Sequence, residues 1–157
     1  MRNPWGWLQS AVAALLLVVA PGAGLAITAG PEGGDPIDRL LHDYIGLYTR
    51  DTLDQWRTLF HPGFVAAFTN ADGTTTSRTL DQFLERQRKY FATGRQISEV
   101  LEDVKVERQG PLAVVRAGFV LHDGPAVKKG GLMMLLIRQR DRFLIQSLVF
   151  TYHLDGD

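Results

Sequence analysis

The chain has 157 residues, of which 45% are hydrophobic, and this length and composition suit one folded domain with a buried core rather than a disordered protein. Its 17 basic and 17 acidic residues give a formal net charge of zero, which removes the electrostatic basis for binding nucleic acid or an anionic membrane surface. Because the sequence contains no cysteine, it excludes disulfides, a thiol nucleophile, a thiolate-bound metal and a lipid anchor on an N-terminal cysteine.

The N-terminal segment has the pattern of a signal peptide. Arg2 precedes an apolar run over residues 11–20, which a Pro-Gly pair ends. The small residues Gly24 and Ala26 occupy the −3 and −1 positions of a cleavage site, so we expect residues 1–26 to be removed and the folded part to be secreted or periplasmic. Membrane tethering by an uncleaved segment is the alternative, although the apolar run is short for a bilayer span.

Residues 27–35 are predicted to be a flexible, Gly-rich linker, and residues 36–153 the folded domain. Asp35 is predicted to be the N-cap of a first helix, with Pro36 at the first helical position, where its missing N–H costs nothing. Apolar residues then recur at spacings of three and four, which is typical of a helix with one buried stripe. The stripe consists of Ile37, Leu40, Leu41, Tyr44, Ile45 and Tyr48.

A short second helix is predicted to begin near Thr52, where Gln55 would complete a capping box. It would end at the sequence His-Pro-Gly, residues 61–63, and lead into a first strand over residues 64–68. Turn residues and a run of threonines after this strand predict a brief second strand.

A second capping box, formed by Thr79 and Gln82, predicts the start of a third helix, and Gly94 predicts its end. From residue 96 onward apolar residues alternate, which predicts strands over residues 97–108, 112–122, 126–139 and 143–153. Because the connections are short, consecutive strands are expected to be antiparallel. The order α-α-β-β-α-β-β-β-β predicts an α+β fold, with three helices packed on the concave face of a curved antiparallel sheet.

The helix pair, the break after Leu59-Phe60 and the first strand resemble the nuclear transport factor 2-like superfamily. This is the cone-shaped fold of ketosteroid isomerases, SnoaL-type polyketide cyclases and scytalone dehydratase. The resemblance covers residues 36–153. It implies a pocket between the helices and the concave sheet face, and a homodimer formed through the sheet.

The same resemblance can be followed to individual catalytic positions. Tyr44 matches the tyrosine with which ketosteroid isomerases donate a hydrogen bond to the substrate oxygen. Phe68 stands where those enzymes have their general-base carboxylate, and Gly130 and Gly131 lie near the position of their second, protonated carboxyl. Because a phenol without a base cannot move a proton between carbons, isomerase chemistry of that type is not expected.

The side chains expected to line the pocket combine aromatic rings with two polar groups. These side chains can also have a purely structural role. A tyrosine can be a core residue whose hydroxyl reaches a polar edge, and Arg116 can point outward from its strand. Gln146 interrupts an apolar strand, so its amide either bonds to a neighbour or faces a cavity. The candidates are Tyr44, Tyr48, Trp56, Phe68, Arg116, Gln146 and Phe150.

These observations predict an exported domain that binds a small apolar molecule, without a cofactor, a metal or nucleic acid. None of the histidines, at positions 42, 61, 122 and 153, has the spacing of a ligand pair. Two alternatives stay open. One is a lyase or isomerase that uses Asp51, Tyr44, Arg116 or His122 and needs an ionisable cavity group with a shifted pKa. The other is a protein-interaction module that uses the outer sheet face.

Overall fold

The structure, a computed structural model, describes residues 34–69 and 73–153. The predicted signal peptide and most of the predicted linker lie outside the described residues. Within them, the helices and strands follow the predicted order. They are α1 (Pro36–Gly46), α2 (Leu53–Arg57), β1 (Phe60–Thr69), β2 (Thr75–Thr79), α3 (Leu80–Phe91), β3 (Ile97–Gln109), β4 (Leu112–Asp123), β5 (Ala126–Gln139) and β6 (Arg142–Tyr152).

Local capping determines where α1 and α3 begin. The Asp35 side chain accepts a hydrogen bond from the Ile37 backbone N–H at 2.8 Å, and Pro36 follows it in the first turn. At α3, Thr79 and Gln82 form the reciprocal capping box that their spacing predicts. Both predicted helix starts are therefore confirmed.

The capping box predicted at Thr52 and Gln55 is wrong, because the Thr52 side chain makes no capping hydrogen bond. Its hydroxyl instead donates to the Leu47 carbonyl oxygen at 2.9 Å, at the end of α1. The same carbonyl oxygen also accepts from the Thr49 backbone N–H at 2.8 Å. The hydroxyl therefore closes the α1–α2 turn.

The sheet has the strand order β2-β1-β6-β5-β4-β3. Strands β3 to β6 pair as the predicted antiparallel hairpins, whereas β1 and β6 pair in parallel. The first strand also begins at Phe60, earlier than its predicted start at Phe64, and its register against β6 shifts between Phe60 and Val65. Pro62 lies within this irregular stretch, where a missing backbone donor is tolerated.

Burial along β4 identifies the face of the sheet that the helices cover. Alternate residues from Ala113 to Leu121 are buried, whereas Arg116 and His122 on the opposite face are exposed. The sheet is curved and not closed, and the three helices lie against its concave side. The predicted α+β architecture is therefore confirmed. Among the described residues, no helix is long and apolar enough to cross a membrane.

An aromatic cluster centred on Trp56 joins the helices to the sheet. The indole is 1% exposed, and its Nε1 donates to the Tyr44 carbonyl oxygen at 2.8 Å. Because this bond satisfies a carbonyl near the end of α1, it fixes α2 against α1. The rings of Tyr48 and Phe60 have centroids 5.0 and 4.6 Å from that of Trp56.

Candidate functional site

A cavity of about 600 Å³ lies between the helices and the concave sheet face. Its wall is mostly aromatic and aliphatic, with a few polar and charged groups. The lining consists of Tyr44, Tyr48, Trp56, Phe68, Arg78, Phe83, Arg86, Gln87, Lys89, Tyr90, Thr93, Glu99, Phe119, Leu121, Lys128, Leu132, Leu148, Phe150 and Tyr152.

The structure brings five of the predicted site residues together in this lining: Tyr44, Tyr48, Trp56, Phe68 and Phe150. The Phe68 and Phe150 rings, on the paired strands β1 and β6, stack with centroids 5.4 Å apart. Phe68 occupies the position where the resemblance would have placed a carboxylate. This part of the cavity therefore offers an aromatic surface.

Arg116 and Gln146 lie outside the lining, which corrects the expectation that they face the pocket. Arg116 is on the exposed face of β4, where its guanidinium lies 3.3 Å from the Glu107 carboxylate. The Gln146 amide donates to the Gly63 carbonyl oxygen at 2.9 Å and so ties β6 to the irregular start of β1. Asp51 and His122, the further candidates for an enzyme site, are exposed and do not line the cavity.

Glu99 is the functional candidate that sequence reasoning missed. It is the one acidic residue in the lining, and its Oε1 is buried without a hydrogen-bond partner among the described residues. Its only signal in the sequence is that it alternates with Ile97 and Leu101 along β3. In the structure these three residues are partly buried, whereas Ser98 and Val100 between them are exposed. A glutamate on the covered face of a strand is uncommon and points to a specific role.

Burial raises the pKa of the Glu99 carboxyl to about 7, and the nearby Tyr44 hydroxyl opposes that shift. The pKa of the Tyr44 hydroxyl is raised well above its usual value, first by burial and then by the nearby Glu99 charge. Tyr44 therefore stays a hydrogen-bond donor at all ordinary pH values. The neighbouring Tyr48 hydroxyl donates to Gln87 Oε1 at 2.7 Å, so it is already engaged.

The rim of the cavity carries a second, separate charged group. Asp123, only 2% exposed, lies 3.0 Å from the Lys128 ammonium and 3.3 Å from the Arg95 guanidinium. Lys128 is a lining residue, but its charge is matched by this carboxylate. No three metal-ligating side chains cluster anywhere in the described ranges.

The pH dependence of the free energy of unfolding is expected to show the raised pKa of Glu99. Between pH 4.5, the ordinary pKa of the side chain, and about 7, the folded chain holds a proton that the unfolded chain has released. The free energy of unfolding therefore falls as the pH rises through this range, by about 2 kcal/mol after allowance for partial exposure. Urea unfolding at several pH values should show that the stability of Glu99→Gln does not fall as the pH rises through this range.

Glu102→Gln is the matched control, because Glu102 is exposed on the same strand. It should keep the wild-type pH dependence. Equal pH dependence of Glu99→Gln and the wild type between pH 4.5 and about 7 would contradict the raised pKa.

No protein-family model matches the sequence, and no curated protein is significantly similar to it. Solved structures match over most of the chain. One is a candidate dehydratase of the nuclear transport factor 2-like family from Streptomyces avermitilis, with a TM-score of 0.63 and 16% identity, over 76% of this chain and 94% of that one. Another is a candidate scytalone dehydratase from Novosphingobium aromaticivorans, with a TM-score of 0.62 and 11% identity, over 76% and 83% of the two chains.

A protein of unknown function from Mycobacterium tuberculosis matches with a TM-score of 0.64 and 19% identity, over 78% of this chain and 73% of that one. At these identities the likeness concerns the backbone and not the site residues. Together with the element order and the cavity between helices and sheet, it establishes that the chain has the cone-shaped nuclear transport factor 2-like fold.

Proposed function

We propose that this protein is an exported domain that binds a small, largely apolar molecule in the cavity between the helices and the sheet. The observation that carries the proposal is the cavity itself, about 600 Å³ in volume and walled mainly by aromatic and aliphatic side chains. Ligand sites in proteins typically have volumes of about 300–1,000 Å³ and walls of this kind. The predicted signal peptide supports export, and the N-terminal residue of the mature protein tests it: cleavage would leave Ile27 first.

Apolar burial sets the affinity that such a ligand can reach. A two-ring molecule would remove roughly 500 Å² of apolar surface from water, counted on both partners, which contributes about 12 kcal/mol. Association itself costs at least about 4 kcal/mol, so a dissociation constant on the order of 1 μM is the tightest that we expect.

Titration with N-phenyl-1-naphthylamine, a neutral two-ring fluorescent probe, tests binding directly. We expect saturable binding by the wild type and at least about tenfold weaker binding by Phe68→Asp. The reason is that Phe68 forms part of the aromatic wall, and a carboxylate there would have to be desolvated by the probe. Absence of saturable binding to the wild type would refute the proposed function.

Val149→Asp is the matched control, because it places the same charge on the opposite face of the sheet. Val149 is 49% exposed on β6 and pairs in register with Ala67 of β1 and Met133 of β5. We also propose that this face, with Val65 and Met133 exposed beside Val149, forms the contact of a homodimer. Val149→Asp should then keep the probe affinity and sediment as a monomer; a monomeric wild type would contradict the dimer.

A second candidate function, proton transfer on the bound molecule, is favoured by Glu99. A carboxyl group with a pKa of about 7 can act as either acid or base near neutral pH. The Tyr44 hydroxyl beside it can donate a hydrogen bond to a substrate oxygen. This carboxyl comes from β3, whereas the resemblance placed the base on β1, where Phe68 stands. A ¹³C NMR titration that gave Glu99 an ordinary pKa near 4.5 would remove this candidate.

A further inference from the structure

The cavity lining is unusually rich in cationic side chains for an apolar binding site. Among residues 34–69 and 73–153, Arg78, Arg86, Lys89 and Lys128 all line it, against the single carboxyl group of Glu99. Two of these cations have carboxylate partners: Lys128 pairs with Asp123 at 3.0 Å, and Lys89 pairs with a glutamate one helical turn earlier on α3 at 3.3 Å. Neither arginine has a carboxylate partner within residues 34–69 and 73–153.

Arg78 is held at the edge of the aromatic wall. It lies on β2 opposite Ala66, and its guanidinium carbon sits 4.4 Å from the centroid of the Phe68 ring. Phe150, whose ring stacks on that of Phe68, continues the same wall. Contact with the ring covers one face of the guanidinium and leaves the N–H groups at its edge free to donate.

Arg86 adds a second positive charge close to the first. It is an exposed residue of α3, the helix that follows β2 directly. Both guanidinium groups belong to the lining of the same cavity, and the pKa of Arg78 is lowered, first by burial and then by the charge of Arg86. Two guanidinium groups that have no carboxylate partner among the described residues, at the border of one apolar cavity, are stabilised by an anion that binds both.

We propose that the natural ligand carries an anionic oxygen group, such as a carboxylate, on its apolar body, and that Arg78 and Arg86 bind this group while the body lies against Phe68 and Phe150. The inference rests on the proposed function and adds the chemical class and orientation of the ligand. Glu99 supports the same orientation, because an anion placed beside its carboxyl group would be repelled.

A matched pair of probes tests the inference: 8-anilinonaphthalene-1-sulfonate and N-phenyl-1-naphthylamine share their ring system and differ by one sulfonate. Hydrogen bonds to a charged group at a partly exposed site correspond to about a tenfold gain in affinity or more. We expect the wild type to bind the anionic probe at least about tenfold more tightly at low salt, with each probe displacing the other. In the double variant Arg78→Gln, Arg86→Gln the preference should vanish, so that the two probes bind with equal affinity.

Arg88→Gln is the control for net charge. Arg88 lies on the same helix, pairs with Asp54 at 3.0 Å and does not line the cavity, so this variant should keep the full preference. If the double variant does not fold, the single variant Arg86→Gln tests the inference, since the Arg86 side chain is exposed. The inference would be overturned if the wild type bound both probes equally well, or if Arg86→Gln preferred the anionic probe as strongly as the wild type does. Neither result affects the proposed function, which fails if the neutral probe does not bind.

Discussion

Replacing Trp56 with alanine is expected to lower the free energy of unfolding by about 4 kcal/mol, the largest effect that we predict for a single substitution. The indole is 1% exposed and touches aromatic rings on every side, with centroid distances from 4.6 to 5.7 Å. Alanine would leave a cavity that the surrounding helices cannot close. It would also leave the Tyr44 carbonyl oxygen without its 2.8 Å partner.

Two controls separate packing from the hydrogen bond at Trp56. Trp56→Phe fills most of the volume without the Nε1 donor, so it should cost only about 1–2 kcal/mol. Val127→Ala removes an apolar side chain that is 56% exposed and should change stability by less than about 0.5 kcal/mol. Urea denaturation measures all three variants. A loss below about 2 kcal/mol for Trp56→Ala would show that the helices are not anchored through this cluster.

The second large effect is expected at Gly130, where alanine should lower the free energy of unfolding by about 3 kcal/mol. A Cβ built on Gly130 would lie 2.1 Å from the Thr151 carbonyl oxygen and 2.5 Å from the Phe119 ring. The first of these atoms belongs to the backbone of the paired strand β6, so the clash cannot be relieved by a side-chain rotation. Strands β5 and β6 would have to separate locally.

Gly131→Ala is the control, because a Cβ at the next residue of the same strand meets no atom within 4 Å. This variant should be neutral or slightly stabilising, since alanine loses less conformational freedom on folding than glycine. Thermal unfolding of the pair measures the contrast. Equal melting temperatures would contradict the close approach of Phe119 and Thr151 to Gly130.

The glycine also explains a difference from the resembled isomerases. Their second carboxyl group would fall near Gly130 or Gly131, and at Gly130 the Phe119 ring and the Thr151 backbone occupy the space of any side chain. The buried carboxyl group of this cavity comes from Glu99 on β3 instead.

Periodicity and capping were sufficient to predict the order of the helices and strands. The apolar stripe of α1, the capping box at Thr79 and the alternation from residue 97 onward each depend on residues close in sequence. The parallel pairing of β1 with β6 and the register shift before Val65 depend on contacts between distant segments, which local patterns do not contain.

The candidate site was only partly predictable for the same reason. The aromatic residues Tyr44, Tyr48 and Trp56 belong to apolar helix stripes, and such stripes necessarily face the sheet. Arg116 lies on the more polar face of β4, and the helices cover the opposite face, from Ala113 to Leu121, so the expectation that Arg116 faces the pocket was wrong. The two faces of β3 differ little in polarity, so only burial in the structure shows that Glu99 lies on the covered face.

Methyl NMR during a titration with N-phenyl-1-naphthylamine shows whether the probe binds in the cavity. We expect saturable shifts of the methyl groups of Leu121, Leu132 and Leu148, which line the cavity, and unchanged signals from Val65 and Val149 on the outer face. Saturable shifts confined to Val65 and Val149, with the three leucines unaffected, would contradict binding in the cavity.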